Sequence, residues 1–187
     1  MIDSPTKSLW SHLLGQAMRG PLKETRLEVI PSRMTDWSSW RKLHPKTTVV
    51  ILSRTSKDYS RDFYKYLERF VIGLAEGKSA RAWPFDQLQK QPVVNDEIGG
   101  LPVLVVYDRQ SSTAFVYQRN ASQGEHTFEF REGRLLDLAT RSVWDLHSGR
   151  AISGPLRGTQ LKPAQGIVSY RRAWQDFHPE SDFWKAK

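Results

Sequence analysis

Histidines that precede prolines, matched aspartates and an Asn-Asp pair are the residues of this chain best suited to chemistry. His44 and His178 stand before Pro45 and Pro179. An imidazole there can bond the last carbonyls of a preceding helix and meet its negative end. The competing role is proton shuttle or ligand, because imidazole changes charge near neutral pH; the helix-end role is favoured. Asp3 and Asp137 each precede a Thr by three residues and a Ser by five. That spacing suits an Asx or Ser/Thr turn before a tryptophan, whereas a hard cation needs several oxygen ligands and the chain has no dense acidic cluster. Asn95-Asp96 reads as a polar recognition pair in a cleft, or as a bulge or turn feeding Gly99-Gly100. Catalytic candidates are His44, His178 and Asp137. Binding candidates are Asn95, Asp96 and Trp144, the last belonging to a set of tryptophans that can stack a ligand or fill a core. No metal site and no cofactor are expected.

Several chemistries are missing at the level of residue type. There is no cysteine, which removes disulfides, thiolate nucleophiles and sulfur-ligated metal. "GLAEGKSA" contains Gly-Lys-Ser, but Gly73 lies four residues before Gly77 where a phosphate loop needs five. The net charge of +8 comes from basic residues spread among acids, the pattern of a solvated surface; no nucleic-acid partner is expected. No run of 18 apolar residues exists to span a membrane, and "MIDSPTKSLW" lacks the basic-then-apolar pattern of a signal peptide. The expected partner is a small ligand or another protein.

The elements that must position these residues come in duplicate. Shifting the chain by 134 residues aligns positions 3–47 with 137–181 without a gap and gives 14 identities. Among them are Asp3/Asp137, Thr6/Thr140, Ser8/Ser142, Trp10/Trp144, Gly20-Pro21-Leu22/Gly154-Pro155-Leu156, Trp40/Trp174 and His44-Pro45/His178-Pro179. They are turn formers and core aromatics, and self-similarity at one offset marks a duplicated structural unit. The expected organisation is the C-terminal half of a truncated first unit (1–50), a connection (51–69) and a complete second unit (70–187). One 70–136 segment offered to two such halves leaves apolar surface uncovered on one of them, which predicts self-association.

Within each copy the D-x-x-T-x-S-x-W stretch reads as extended, followed by a short strand between glycines and a Gly-Pro turn. A short helix follows, with Thr35 or Ser169 as its N-cap and His-Pro as its stop. Between the copies, "FVIGLAEGKSARAWP" reads as two strands around Glu76-Gly77-Lys78, "FDQLQKQ" as helical turns, and "PVVNDEIGGLPVLVVYDRQSSTAFVYQRN" as alternating strands around Gly99-Gly100 and Asp108 to Ser112. "HTFEF" reads as a further strand, and Ser56–Phe70 as a connection with helical character. The predicted fold is α+β and β-rich: an antiparallel sheet or partly closed barrel with short helices, built from a duplicated unit.

The order ARAWP, PVVNDEIGG, PVLVVY, AFVYQR, then LLDLATRSVWDLHSGRAISGPLRGTQL and FHP resembles the bacterial and archaeal family known as domain of unknown function 3179. The similarity spans essentially the whole chain. It implies two tandem units in full-length members, often with a Cys-containing segment in the first and an extracytoplasmic signal. The matching stretch "VVYDRQSSTAF" has no cysteine, and this chain shows no signal peptide, so the resemblance alone suggests an extracytoplasmic location. It carries no activity that maps onto particular residues. The expected function is a non-catalytic binding or structural module, with a hydrolase or metal-dependent enzyme between the two lobes as the competing reading.

Overall fold

The computed structural model describes residues 1–28, 30, 32–50, 65–121 and 124–187. Strands β1 (Leu9–Ser11) and β2 (Gln16–Arg19) form an antiparallel hairpin. Helix α1 (Trp37–Leu43) follows. Its cap is Asp36, not the expected Thr35: Asp36 is the extended residue, and its carboxylate accepts from the Ser39 amide at 2.9 Å. Of the expected connection, residues 51–64 lie outside the described residues; Leu67–Arg69 make one 3₁₀ turn that delivers the chain into β3.

Strands β3 (Phe70–Glu76) and β4 (Ser79–Pro84) pair antiparallel around Gly77, and α2 (Phe85–Lys90) buries Phe85 and Leu88. Strands β5 (Val93–Ile98), β6 (Leu101–Asp108) and β7 (Thr113–Gln118) form an antiparallel meander. A two-residue pairing, β8 (Asn120–Ala121) with β9 (Gly124–Glu125), leads to β10 (Phe128–Arg131), β11 (Arg134–Asp137), β12 (Val143–Asp145) and β13 (Arg150–Ser153), a second antiparallel sheet. Strand β14 (Ile167–Tyr170) returns to pair with β3. Helix α3 (Arg171–Phe177) and β15 (Asp182–Phe183) end the fold, β15 running parallel to β4. The expected Ser169 cap is displaced because Ser169 pairs with Val71 in the sheet; Tyr170 is the N-cap of α3 and makes no side-chain cap bond.

The β5–β7 sheet is the middle layer. Val94, Val103, Val105 and Val116 face a core with Ile72, Trp83, Phe85 and Leu88, while Val93, Leu104, Val106, Phe115 and Tyr117 face a second core with Trp144, Leu156 and Leu161. A strand covered on both faces must be apolar at every position. That is why β6 and β7 are near-continuous apolar runs and not the alternating strands expected from the sequence. The described sheets are all open, β-rich and mostly antiparallel, with no closed barrel.

Candidate functional site

Asp3 and Asp137 each anchor a small network of hydroxyls and amides. The Thr6 amide donates to Asp3 Oδ1 at 2.7 Å, and the Thr6 hydroxyl donates to Oδ2 at 2.7 Å. The Ser8 amide and Trp10 Nε1 add bonds of 3.1 and 3.0 Å to the same Oδ2. Donors aimed at a carboxylate favour its ionised form. The Asp3 carboxyl is accordingly held down to about 2, with the Thr6 hydroxyl the largest cause and the Trp10 indole the next. In the second copy the Thr140 hydroxyl donates to Asp137 Oδ2 at 2.5 Å and its amide at 3.2 Å, and Thr140 Oγ1 lies 2.8 Å from Ser142 Oγ.

Both networks end on the Gly-Pro-Leu turn. Ser8 Oγ accepts from the Leu22 amide at 3.1 Å, and Ser142 Oγ accepts from the Leu156 amide at 3.0 Å. A Cβ on Gly20 or Gly154 would come within 2.7 Å of the Cα of Ser8 or Ser142, so only glycine lets the turn sit against the serine.

The copies differ at the tryptophan. His126 Nδ1 lies 3.4 Å from Asp137 Oδ2, both side chains being buried, and Trp144 Nε1 is left without a partner. The Nε2 atom of His126 is likewise buried and unpaired among the described residues. Phe128 packs edge-on against Trp144, with ring centroids 5.5 Å apart. Nothing in the repeat pattern pointed to His126, because its counterpart at the same offset would fall before Met1. Thr140 and Ser142 were written in the D-x-x-T-x-S spacing but read there only as turn formers.

Asn95 and Asp96 sit side by side on β5 and bind different things. The Asn95 amide accepts from the Phe128 amide at 2.8 Å and donates to the Phe128 carbonyl at 2.7 Å, clamping β10 to β5 as a strand would. Asp96 pairs with Arg81 at 2.6 Å and accepts from Trp83 Nε1 at 2.9 Å. Arg119, only 8% exposed, donates to the carbonyls of Val103, His126 and Asp96 and pairs with Glu125 at 2.7 Å. Buried charge is tolerated where it is paired and hydrogen-bonded.

His44 and His178 close identical helix ends. Each imidazole lies against the helix tryptophan four residues earlier, with centroids 4.1 Å apart in Trp40–His44 and 4.2 Å in Trp174–His178. Each indole then donates to a hydroxyl beyond the proline: Trp40 Nε1 to Thr47 at 2.9 Å, Trp174 Nε1 to Ser181 at 2.7 Å. Burial pushes the His178 imidazole below its usual value. The structure brings neither histidine to a carboxylate; among the described residues the histidine ion pairs are His126–Asp137 and His147–Asp108. It brings no two of His44, His178 and Asp137 together in an ion pair or hydrogen bond, and no cluster of three or more His, Asp and Glu with metal-holding geometry occurs among the described residues.

The first repeat touches the rest of the molecule along one side. Leu13 packs beside Val71, Ala82 and Trp174, Met34 against the first core, and the Arg33 guanidinium over the Phe115 ring at 5.1 Å. Where β1 faces β14 and α3, a cleft of about 600 Å³ opens, lined by Trp10, His12, Met18, Tyr170 and Phe177 among others. A neighbouring cleft of about 700 Å³ shares Tyr170 and Ala173 and adds Arg69, Arg171 and Arg172 together with the carboxylates Glu68 and Asp176. Of these residues the repeat motif marked only Trp10; the cleft forms from side chains about 160 residues apart in the chain.

The duplicated, mostly antiparallel β architecture with its repeated Asp-Thr-Ser-Trp turns defines a class of tandem β-rich units. The family model described as "Protein of unknown function (DUF3179)" matches residues 1–69 and again residues 66–181, and the chain belongs to that family. Comparison with curated proteins and with solved structures gives no match.

Proposed function

We propose that this chain is a non-catalytic binding or structural module whose ligand-facing surface is the apolar cleft between the first repeat and α3. What supports this most is the fate of the repeated polar side chains. Asp3, Thr6, Ser8 and their counterparts spend their hydrogen-bonding capacity on turn amides and on one another. A catalytic group must instead present an atom to substrate. The cleft offers aromatic faces and little charge, the surroundings of an apolar or aromatic ligand with its anionic end toward Arg171 and Arg172.

The test is titration of the full chain with 8-anilinonaphthalene-1-sulfonate, an aromatic anion, followed by its emission. Saturable binding weakened several-fold by Tyr170→Ala and unchanged by Trp37→Ala is expected. Binding indifferent to Tyr170→Ala overturns the cleft assignment.

A hydrolytic reading has one feature in its favour: His126, Asp137, Thr140 and Ser142 form a continuous row of acid, base and hydroxyl groups. His126, Asp137 and Ser142 are buried and Thr140 half-buried, and Ser142 Oγ already accepts from the Leu156 amide. Ester or phosphoester turnover abolished by His126→Asn in a folded protein would establish that reading over ours.

A further inference from the structure

The two repeats share their local geometry, so any difference in burial reports what covers them from outside. Leu156 and Leu161 are 2% and 0% exposed; their counterparts Leu22 and Leu27 are 36% and 55% exposed. Trp174 is buried, whereas Trp40 is not and lines an open surface hollow with Leu43 and Lys46. Exposure does not differ everywhere. Phe177 and Leu43 are both exposed, as are Ile152 and Met18. The difference falls at positions whose second-repeat counterparts meet residues 70–136 in two separate clusters, Leu156 and Leu161 in one and Trp174 in the other.

What does the covering in the second repeat is known atom by atom. Leu156 and Leu161 lie in one core with Leu104, Val106, Phe115 and Tyr117 of β6 and β7. Trp174 lies against Val71, Ala82 and the bare backbone of Gly73, where a Cβ would come within 2.4 Å of the indole. Residues 70–136 are committed to the second repeat and have no second copy of this face to offer.

We infer that two patches of the first repeat, Leu22–Leu27 and the Trp40 hollow, together dock one β-rich partner with the chemistry of residues 70–136: an antiparallel hairpin with a glycine opposite the indole, and a flat three-stranded apolar sheet for the leucines. Leu22 and Leu27 do not line the cleft at Tyr170, so this docking is separate from ligand binding there. The leucine patch is preset for it. The Ser8–Leu22 and Leu27–Gly15 bonds that shape it are already made, at 3.1 and 2.8 Å, which lowers the ordering cost of association.

The experiment supplies such a partner to the full chain by fusing a second copy of residues 66–134 ahead of Met1, so that Arg134 precedes Met1 as it precedes Leu135. Amide exchange at Leu22 and Leu27 is expected to slow by about tenfold or more, and Trp40 emission to move to shorter wavelength. Gly73→Leu in the added copy alone should reverse the Trp40 shift while leaving exchange at Leu161 unchanged, which shows that the original fold persists. Two results overturn the inference. One is unaltered exchange at Leu22 and Leu27, including the case in which the added segment stays unfolded beside the face meant to order it. The other is protection of these amides in the unfused chain that grows with its concentration, which makes a second copy of the chain the occupant.

Discussion

Leu161 is completely buried under β6 and β7, while Leu27, at the same place in the first repeat and with the same amide bond to a glycine carbonyl, lies 55% exposed. Trp144 and Trp10 diverge in the same direction. Trp144 is sealed between Phe128 and His126, its indole nitrogen unpaired among the described residues; Trp10 is half-exposed and gives its indole proton to Asp3. Local hydrogen bonding therefore builds this motif whether or not a core closes over it. The turn is self-sufficient, the apolar face is not, and burial decides where the stability lies.

The sharpest way to break this comparison is paired truncation of the helix tryptophans. Trp174→Ala should cost about 3–5 kcal/mol, because it empties a fully packed site and exposes the glycine strand it covers. Trp40→Ala should cost no more than about 1 kcal/mol. Chemical denaturation of both variants measures the difference, and equal losses would place a hidden core under α1. Next in size, Leu161→Ala should cost about 2–5 kcal/mol, as buried leucines do, and Leu27→Ala about 0.5 kcal/mol or less.

Gly73→Ala should destabilise by about 1–3 kcal/mol through overpacking, since its new methyl would meet the Trp174 ring at 2.4 Å. The fourth comparison concerns single protons. Trp10→Phe removes two things at once, an indole donor and one of the causes that hold the Asp3 carboxyl near 2. Its Asp3 resonance should titrate at higher pH, whereas Trp144→Phe removes a donor that has no partner among the described residues and should cost no hydrogen bond.

The smallest effect is the pH dependence. The folded-state value of His178 is lowered by burial, so the unfolded chain binds the proton more readily. Stability from this group is complete above the ordinary imidazole value, near pH 6.5, and falls as pH drops through the lowered value. His178→Asn should flatten that fall in denaturation curves taken between pH 8 and pH 5.

Much of the fold was legible because its signals are local. The Gly77 and Gly99-Gly100 turns, the apolar runs on either side and the His-Pro helix stops each act over a few residues, and the duplication doubled the signal for Asp, Trp and His-Pro. The two-sided burial of β6 and β7 was not legible as such, because an unbroken apolar strand looks the same whether one layer or two will cover it. Nor was the helix cap: Thr35 and Asp36 are both good caps, and a backbone angle chooses between them. At the site, the sequence pointed to Asn95 and Asp96 as a pair. Their actual partners, Phe128 for one and Arg81 and Trp83 for the other, are set by strand register. His126 had no repeated counterpart to draw attention to it, and the cleft at Tyr170 arises from packing that no motif records.

The central claim is that one motif is a closed core in its second copy and an open face in its first. It is tested most directly by amide hydrogen exchange at Leu161 and Leu27, whose N–H groups make the same 2.8 Å bond to Gly149 and Gly15. With the bond held constant, only burial and local stability differ. Leu161 should exchange through global unfolding, and Leu27 through local opening, faster by about two orders of magnitude or more. Equal protection at the two amides would contradict the account.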